Sequence, residues 1–103
     1  MVNIIIYLKK DQDAKELVKH LLTEHLIASA TIDENNTSYV LKDGELNEVI
    51  NTVITAQSKS LLLSDIIKSV EKKCGVEVPI VSIPIVGTNR IYDDSIKSKI
   101  VSI

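Results

Sequence analysis

The chain has 103 residues, 45% of them hydrophobic and 25% charged, with few glycines and prolines, which fits one ordinary soluble globular domain over 1–103 and excludes disordered, collagen-like and linker compositions. Twelve basic against fourteen acidic residues give a net charge of -2, Arg90 is the only arginine, and there is no Trp or Phe. A backbone-tracking nucleic-acid binder needs a basic stripe and stacking aromatics, so DNA and RNA are excluded as partners.

The longest uncharged apolar run, Val2 to Leu8, is far short of the roughly 20 residues of a membrane span. It lacks a basic n-region and a small-residue cleavage site, so it reads as a first strand and the expected compartment is the cytoplasm. A single cysteine, Cys74, leaves no internal disulfide and fits a reducing environment. After a polar break, Asp13 and Glu16 form a capping-box-like start. Leu17, Val18, Leu21, Leu22 and Leu26 then make one apolar stripe, predicting a helix from about Asp13 to His25.

Ile27 to Asp33 and Asn36 to Lys42 read as strand, with the acidic, Asn-rich Asp33-Glu34-Asn35-Asn36 as a bend or bulge between them. Asp43-Gly44 is a strong hairpin signal because both residues tolerate positive φ, and the chain is expected to return through Leu46 to Ala56. Ser58 or Ser60 is the expected cap of a second helix whose stripe is Leu62, Leu63, Ile66, Ile67 and Val70. That helix should stop near Lys73, with Gly75 in the left-handed position beyond it. Val78 to Val86 reads as a fourth strand, held to a sheet edge by Pro79 and Pro84. A last helix is expected from Asp93 to Val101, capped by Asp93 or Asp94, with Ile96 and Ile100 facing the core.

This order, β-α-β-β-α-β plus a terminal helix, predicts the α+β ferredoxin-like sandwich with a long β2-β3 hairpin. Hairpin arms of roughly 10 residues exceed the usual 5–6-residue strand and would leave their outer part uncovered. Tyr39, Val40, Leu41, Gly44 and Leu46 are the hairpin residues expected to meet another copy of the chain in a closed ring.

Three stretches carry a family resemblance: Ala14-Lys15-Glu16-Leu17-Val18 leading into Leu22-Thr23-Glu24-His25-Leu26-Ile27-Ala28; Thr37-Ser38-Tyr39-Val40 before Asp43-Gly44; and Val78-Pro79 followed by Pro84-Ile85-Val86-Gly87-Thr88-Asn89 and Tyr92. The chain thereby resembles the CutA-type divalent-cation tolerance proteins. The resemblance implies a homotrimer whose hairpins augment neighbouring sheets and a role in the response to divalent metal ions. It departs from that pattern in having Leu41 and Lys42 at a common aromatic pair, Ser29 at a common Cys, and Cys74-Gly75-Val76 at a His-Pro-Tyr stretch.

His20 and His25, five residues apart on one helix, sit roughly 140° apart and cannot bind one ion as an i, i+4 pair would. The remaining candidates for a weak copper or other divalent-ion site are Cys74 as a soft ligand and Asp33, Glu34 and Asp43 as oxygen ligands on the hairpin. Turn chemistry is the competing explanation for the three acids. No phosphate loop of Walker spacing, nucleophile elbow, His-Glu-x-x-His or Cys-x-x-Cys is present, and the loop after the first strand lacks the arginine an acylphosphatase needs. The expectation is a protein that is not an enzyme. The alternative is a PII-like regulator, with Lys9, Lys10, Asn89 and Arg90 lining a cleft for a nucleotide or small anion.

Overall fold

The structure, a computed structural model, describes residues 1–100. The first strand, β1 (Val2–Leu8), alternates strictly between buried and half-buried residues. Its apolar run is therefore covered by helices on one face only: Val2, Ile4, Ile6 and Leu8 point into the core, whereas Asn3, Ile5 and Tyr7 lie on the other face.

Helix α1 (Ala14–Thr23) begins at Asp13, whose carboxylate accepts the Glu16 backbone N–H at 3.1 Å. The expected cap is thus present, but the helix stops two residues before His25. There the chain turns away with His25 in the left-handed region at φ 57°, and the Leu26 N–H donates back to the Leu21 carbonyl at 3.0 Å.

Strands β2 (Ser29–Lys42) and β3 (Glu45–Ser58) form one hairpin of fourteen-residue arms. Asp43 and Gly44, at φ 53° and 78°, are the whole connection, as a two-residue turn with both dihedrals positive requires. The polar stretch at 33–36 is a bulge inside a continuous strand, not a break between two.

Neither expected serine caps the second helix. Ser58 is the last residue of β3, fully buried, and its hydroxyl donates to the Leu26 carbonyl at 2.6 Å. Ser60 opens a single 3-10 turn (Ser60–Leu62), from which α2 (Leu63–Cys74) continues with no side-chain cap. The Leu26 carbonyl lies in a part-buried setting, where a donor is worth more than at the exposed helix start. At the other end Gly75, at φ 76°, closes α2 as expected.

Strand β4 (Ile80–Pro84), shorter than the expected Val78 to Val86, pairs only with β1 and forms a sheet edge; Pro79 lies just before it, and its carbonyl accepts from the Tyr7 N–H. The third helix, α3 (Arg90–Lys97), starts earlier than expected. Asn89, not Asp93 or Asp94, is its cap and accepts the Tyr92 N–H at 3.1 Å. Asp93 lies inside the helix, 2.8 Å from the Lys97 ammonium, and its hydrogen bond and charge raise the pKa of that lysine. The helix also ends earlier than expected, at Lys97 with Ser98 as its cap, and does not continue toward Val101, which itself lies outside the described residues.

The sheet order is β2-β3-β1-β4, antiparallel throughout. Both long helices pack on one face: Leu17 and Leu21 of α1 and Ile66 and Val70 of α2 share a core with the inward residues of β1 and with Ile54 and Ala56. This is the ferredoxin-like sandwich. Ile96 and Ile100 form a smaller cluster with Ala28, against which Met1 packs.

Candidate functional site

Two features of the surface bear on function: the projecting hairpin, and the dispersal of the metal-ligand candidates. β1 ends opposite the inner part of the hairpin, with Leu8 paired to Thr52. Everything from Asn36 to Asn51 therefore extends past the four-stranded sheet as a bare two-stranded arm. At about 3.4 Å per residue it reaches roughly 20 Å from the body. The molecule measures 47 × 29 × 20 Å, with a radius of gyration of 14.8 Å where a compact chain of this length has about 13 Å.

The bulge decides which side chains the arm shows. Asp33 pairs with Val53 and Asn36 with Asn51, so Glu34 and Asn35 together oppose Thr52. Inside the bulge, even-numbered residues of β2, Ala30 and Ile32, share the core face with Ala56 and Ile54. Beyond it the extra residue inverts the phase, and Tyr39 and Leu41 come onto the same side as Leu46 and Ile50. Tyr39 is 61%, Leu41 75% and Leu46 68% exposed, and Leu41 faces Leu46 directly across the strands. Val40 and Val49 are exposed on the opposite side. The arm thus carries apolar side chains on both faces with nothing in the subunit to cover them. Local patterning singles out Tyr39, Val40, Leu41 and Leu46; it misses Val49 and Ile50, which become legible once the bulge fixes the alternation.

Among the acidic candidates, Asp33 and Asp43 have places in the bulge and the turn. The two oxygens of Asp33 each accept at 3.3 Å, one from the Asn35 backbone and one from the Asn36 amide, so its carboxylate holds the bulge in shape. Glu34 lies beside the loop after β1, in a cavity shared with Lys10, Asp13, Lys15 and Thr52. Asp43 sits at the far tip of the arm.

Cys74 is elsewhere, at the end of α2. Half-buried against the core, it lines a cavity of about 450 Å³ with Lys9, Asp11, Asp13 and Glu16. Burial pushes its thiol above the ordinary value, which keeps the sulfur protonated near neutral pH. The four candidates are not brought together, and among the described residues no three His, Cys, Asp or Glu are grouped to hold a metal ion.

The alternative cleft is likewise divided. Lys9 and Lys10 follow the last residue of β1, whereas Asn89 and Arg90 begin α3 near Asn3, at the other end of the same strand. Seven residues of extended chain, roughly 20 Å, separate the two pairs within a subunit. Among the described residues no helix is long and apolar enough to cross a membrane.

Comparison with known proteins agrees with this architecture. Among curated protein sequences, none is significantly similar to this one. Solved structures superpose along nearly the whole chain: a divalent cation tolerance protein from Thermus thermophilus has a TM-score of 0.83 at 22% identity, covering 98% of this chain and 100% of its own. CutA1 from Oryza sativa gives 0.84 at 17% identity, covering 97% and 93%, and the protein described as a periplasmic divalent cation tolerance protein from Archaeoglobus fulgidus gives 0.80 at 21%, covering 96% and 98%. At these identities the superpositions establish the fold. The family follows from the sequence itself, because residues 2–99 match the family model described as CutA1 divalent ion tolerance protein. With the sandwich, the long hairpin and this match over nearly its whole length, the chain belongs to the CutA1 divalent ion tolerance family.

Proposed function

We propose that this chain serves divalent-cation tolerance in the cytoplasm as a non-catalytic homotrimer that binds copper weakly through Cys74. The observation that carries the assembly is the bare arm. Leu41, Leu46, Tyr39 and Val40 are too exposed and too apolar to be the resting surface of a monomer, and the outer edge of β2 offers unpaired backbone groups along the arm. Three copies lending arms to one another in a closed ring cover both the side chains and the edges, and leave no open end for further growth. Size-exclusion chromatography with light scattering is expected to give a mass near three chains; a stable monomer at micromolar concentration overturns the proposal.

The metal part of the reading rests on the family and on thiol chemistry. A thiolate is a good soft ligand for copper, but desolvation of Cys74 favours the protonated sulfur, so an incoming ion must displace a proton. Because the thiol pKa is raised, copper affinity should be low at neutral pH and climb, by up to about tenfold per pH unit, as the solution is made alkaline toward that pKa. Calorimetric titration with Cu²⁺ at pH 7.0 and 8.5 reads this directly. Cys74→Ser is expected to lower affinity about tenfold and flatten the pH dependence, whereas unchanged binding removes Cys74 from the site.

A further inference from the structure

α1 and α2 pack side by side with a groove between their outer surfaces. It is lined by His20 and Glu24 of the first helix segment, by Lys68, Ser69, Lys72 and Lys73 of the second, and by Leu26, and has a volume of about 580 Å³, within the range of small-molecule sites. Its charge is the opposite of the chain's: three lysines face one carboxylate in a protein of net charge -2. Lys72 and Lys73 suit the negative end of the α2 dipole, but Lys68 is a turn earlier and gains little from it. Lys68 and Lys72 stand one turn apart, a like-charge spacing that disfavours the helix, and neither forms an ion pair among the described residues. Between them Ser69 holds the groove floor, its hydroxyl 3.0 Å from Nε2 of the half-buried His20. Three cations against the single groove carboxylate of Glu24, beside a fixed hydroxyl and an imidazole, make a donor set for a multiply charged oxyanion, while Glu71 shares a neighbouring cavity with Lys68 and Lys72.

We propose that this groove binds a phosphate-bearing small anion, with Lys68 and Lys72 supplying charge and the Ser69–His20 pair, whose two polar atoms are hydrogen-bonded to each other, supplying one oriented donor. The groove lies on the helix layer, away from the arm and from the helix-free sheet face, so it stays open in a ring built through the hairpins and the proposal does not depend on the metal reading.

The test is a titration of the intact, assembled ¹⁵N-labelled protein with inorganic phosphate, pyrophosphate and ATP in separate metal-free arms at constant ionic strength. Saturable shifts are expected for the amides of His20, Lys68, Ser69 and Lys72, stronger with pyrophosphate and ATP than with phosphate, and weakening as salt is raised. The double variant Lys68→Gln/Lys72→Gln should lose at least tenfold in affinity. Lys9→Gln/Lys10→Gln, which removes the same charge from the loop after β1, should lose less than twofold. No saturable response to any probe, a response to ATP without pyrophosphate, or equal loss in the two double variants overturns the proposal; the last would mean that net charge alone attracts the anion.

Discussion

Replacing Leu41 and Leu46 together by glutamate is expected to drop the particle mass from three chains to one. The two side chains face each other across the arm and are largely exposed in the isolated subunit, so neither contributes to the subunit's own core. Fully covering an exposed leucine stabilises by roughly 1.5–3 kcal/mol, so this pair, about 70% exposed, represents about 2–4 kcal/mol of assembly free energy per subunit, or roughly one and a half to three orders of magnitude in association. The substitution also sets two carboxylates directly opposite one another in whatever interface covers them. Circular dichroism should show the sandwich intact, because exposed positions usually change subunit stability by no more than about 0.5 kcal/mol. A variant that keeps the three-chain mass excludes the arm as the assembly element.

A second large effect belongs to the core. Ile6→Ala is expected to cost about 2–5 kcal/mol, a large fraction of the stability of a small domain. Ile6 is on a central strand, paired to Ile54 on one side and Ile80 on the other, and is fully buried under both helices. The surrounding strands are fixed by their ladders and the cavity cannot collapse easily. Leu61→Ala is the matched control, since Leu61 is 74% exposed and should change stability by no more than about 0.5 kcal/mol. Urea unfolding at fixed protein concentration gives the comparison, with concentration held constant because assembly contributes to apparent stability. A cost below about 1 kcal/mol for Ile6→Ala would show that the helix layer does not seal β1 as described.

The candidate site was less legible than the fold, and particular residues show why. Asp33, Glu34, Asp43 and Cys74 have the right chemistry for a cation, but convergence is a property of three-dimensional placement: one acid shapes a bulge, one borders a loop, one is at a tip, and the thiol closes a helix. The alternative quartet of Lys9, Lys10, Asn89 and Arg90 divides for the same reason, since β4 runs antiparallel to β1 and delivers its following loop to the far end. The groove around Lys68 and Lys72 has a trace in the sequence, their one-turn spacing, yet His20 reaches it only because α1 packs against α2.

What the sequence determined by itself is whatever short-range stereochemistry governs: the Asp43-Gly44 reversal, the Asp13 cap, the stop at Gly75, the apolar stripes of α1 and α2, and from their order the ferredoxin-like sandwich. The tertiary structure decided everything that depends on partners distant in the chain. Ser58, itself fully buried, ends a strand and gives its hydroxyl to the part-buried Leu26 carbonyl, and Tyr39 and Leu41 join Leu46 and Ile50 on one side because a single extra residue at the bulge shifts the pairing phase. Local propensity selects an element from a few neighbouring residues, whereas burial and register are set by the free energy of whole packed surfaces, which no window along the chain contains.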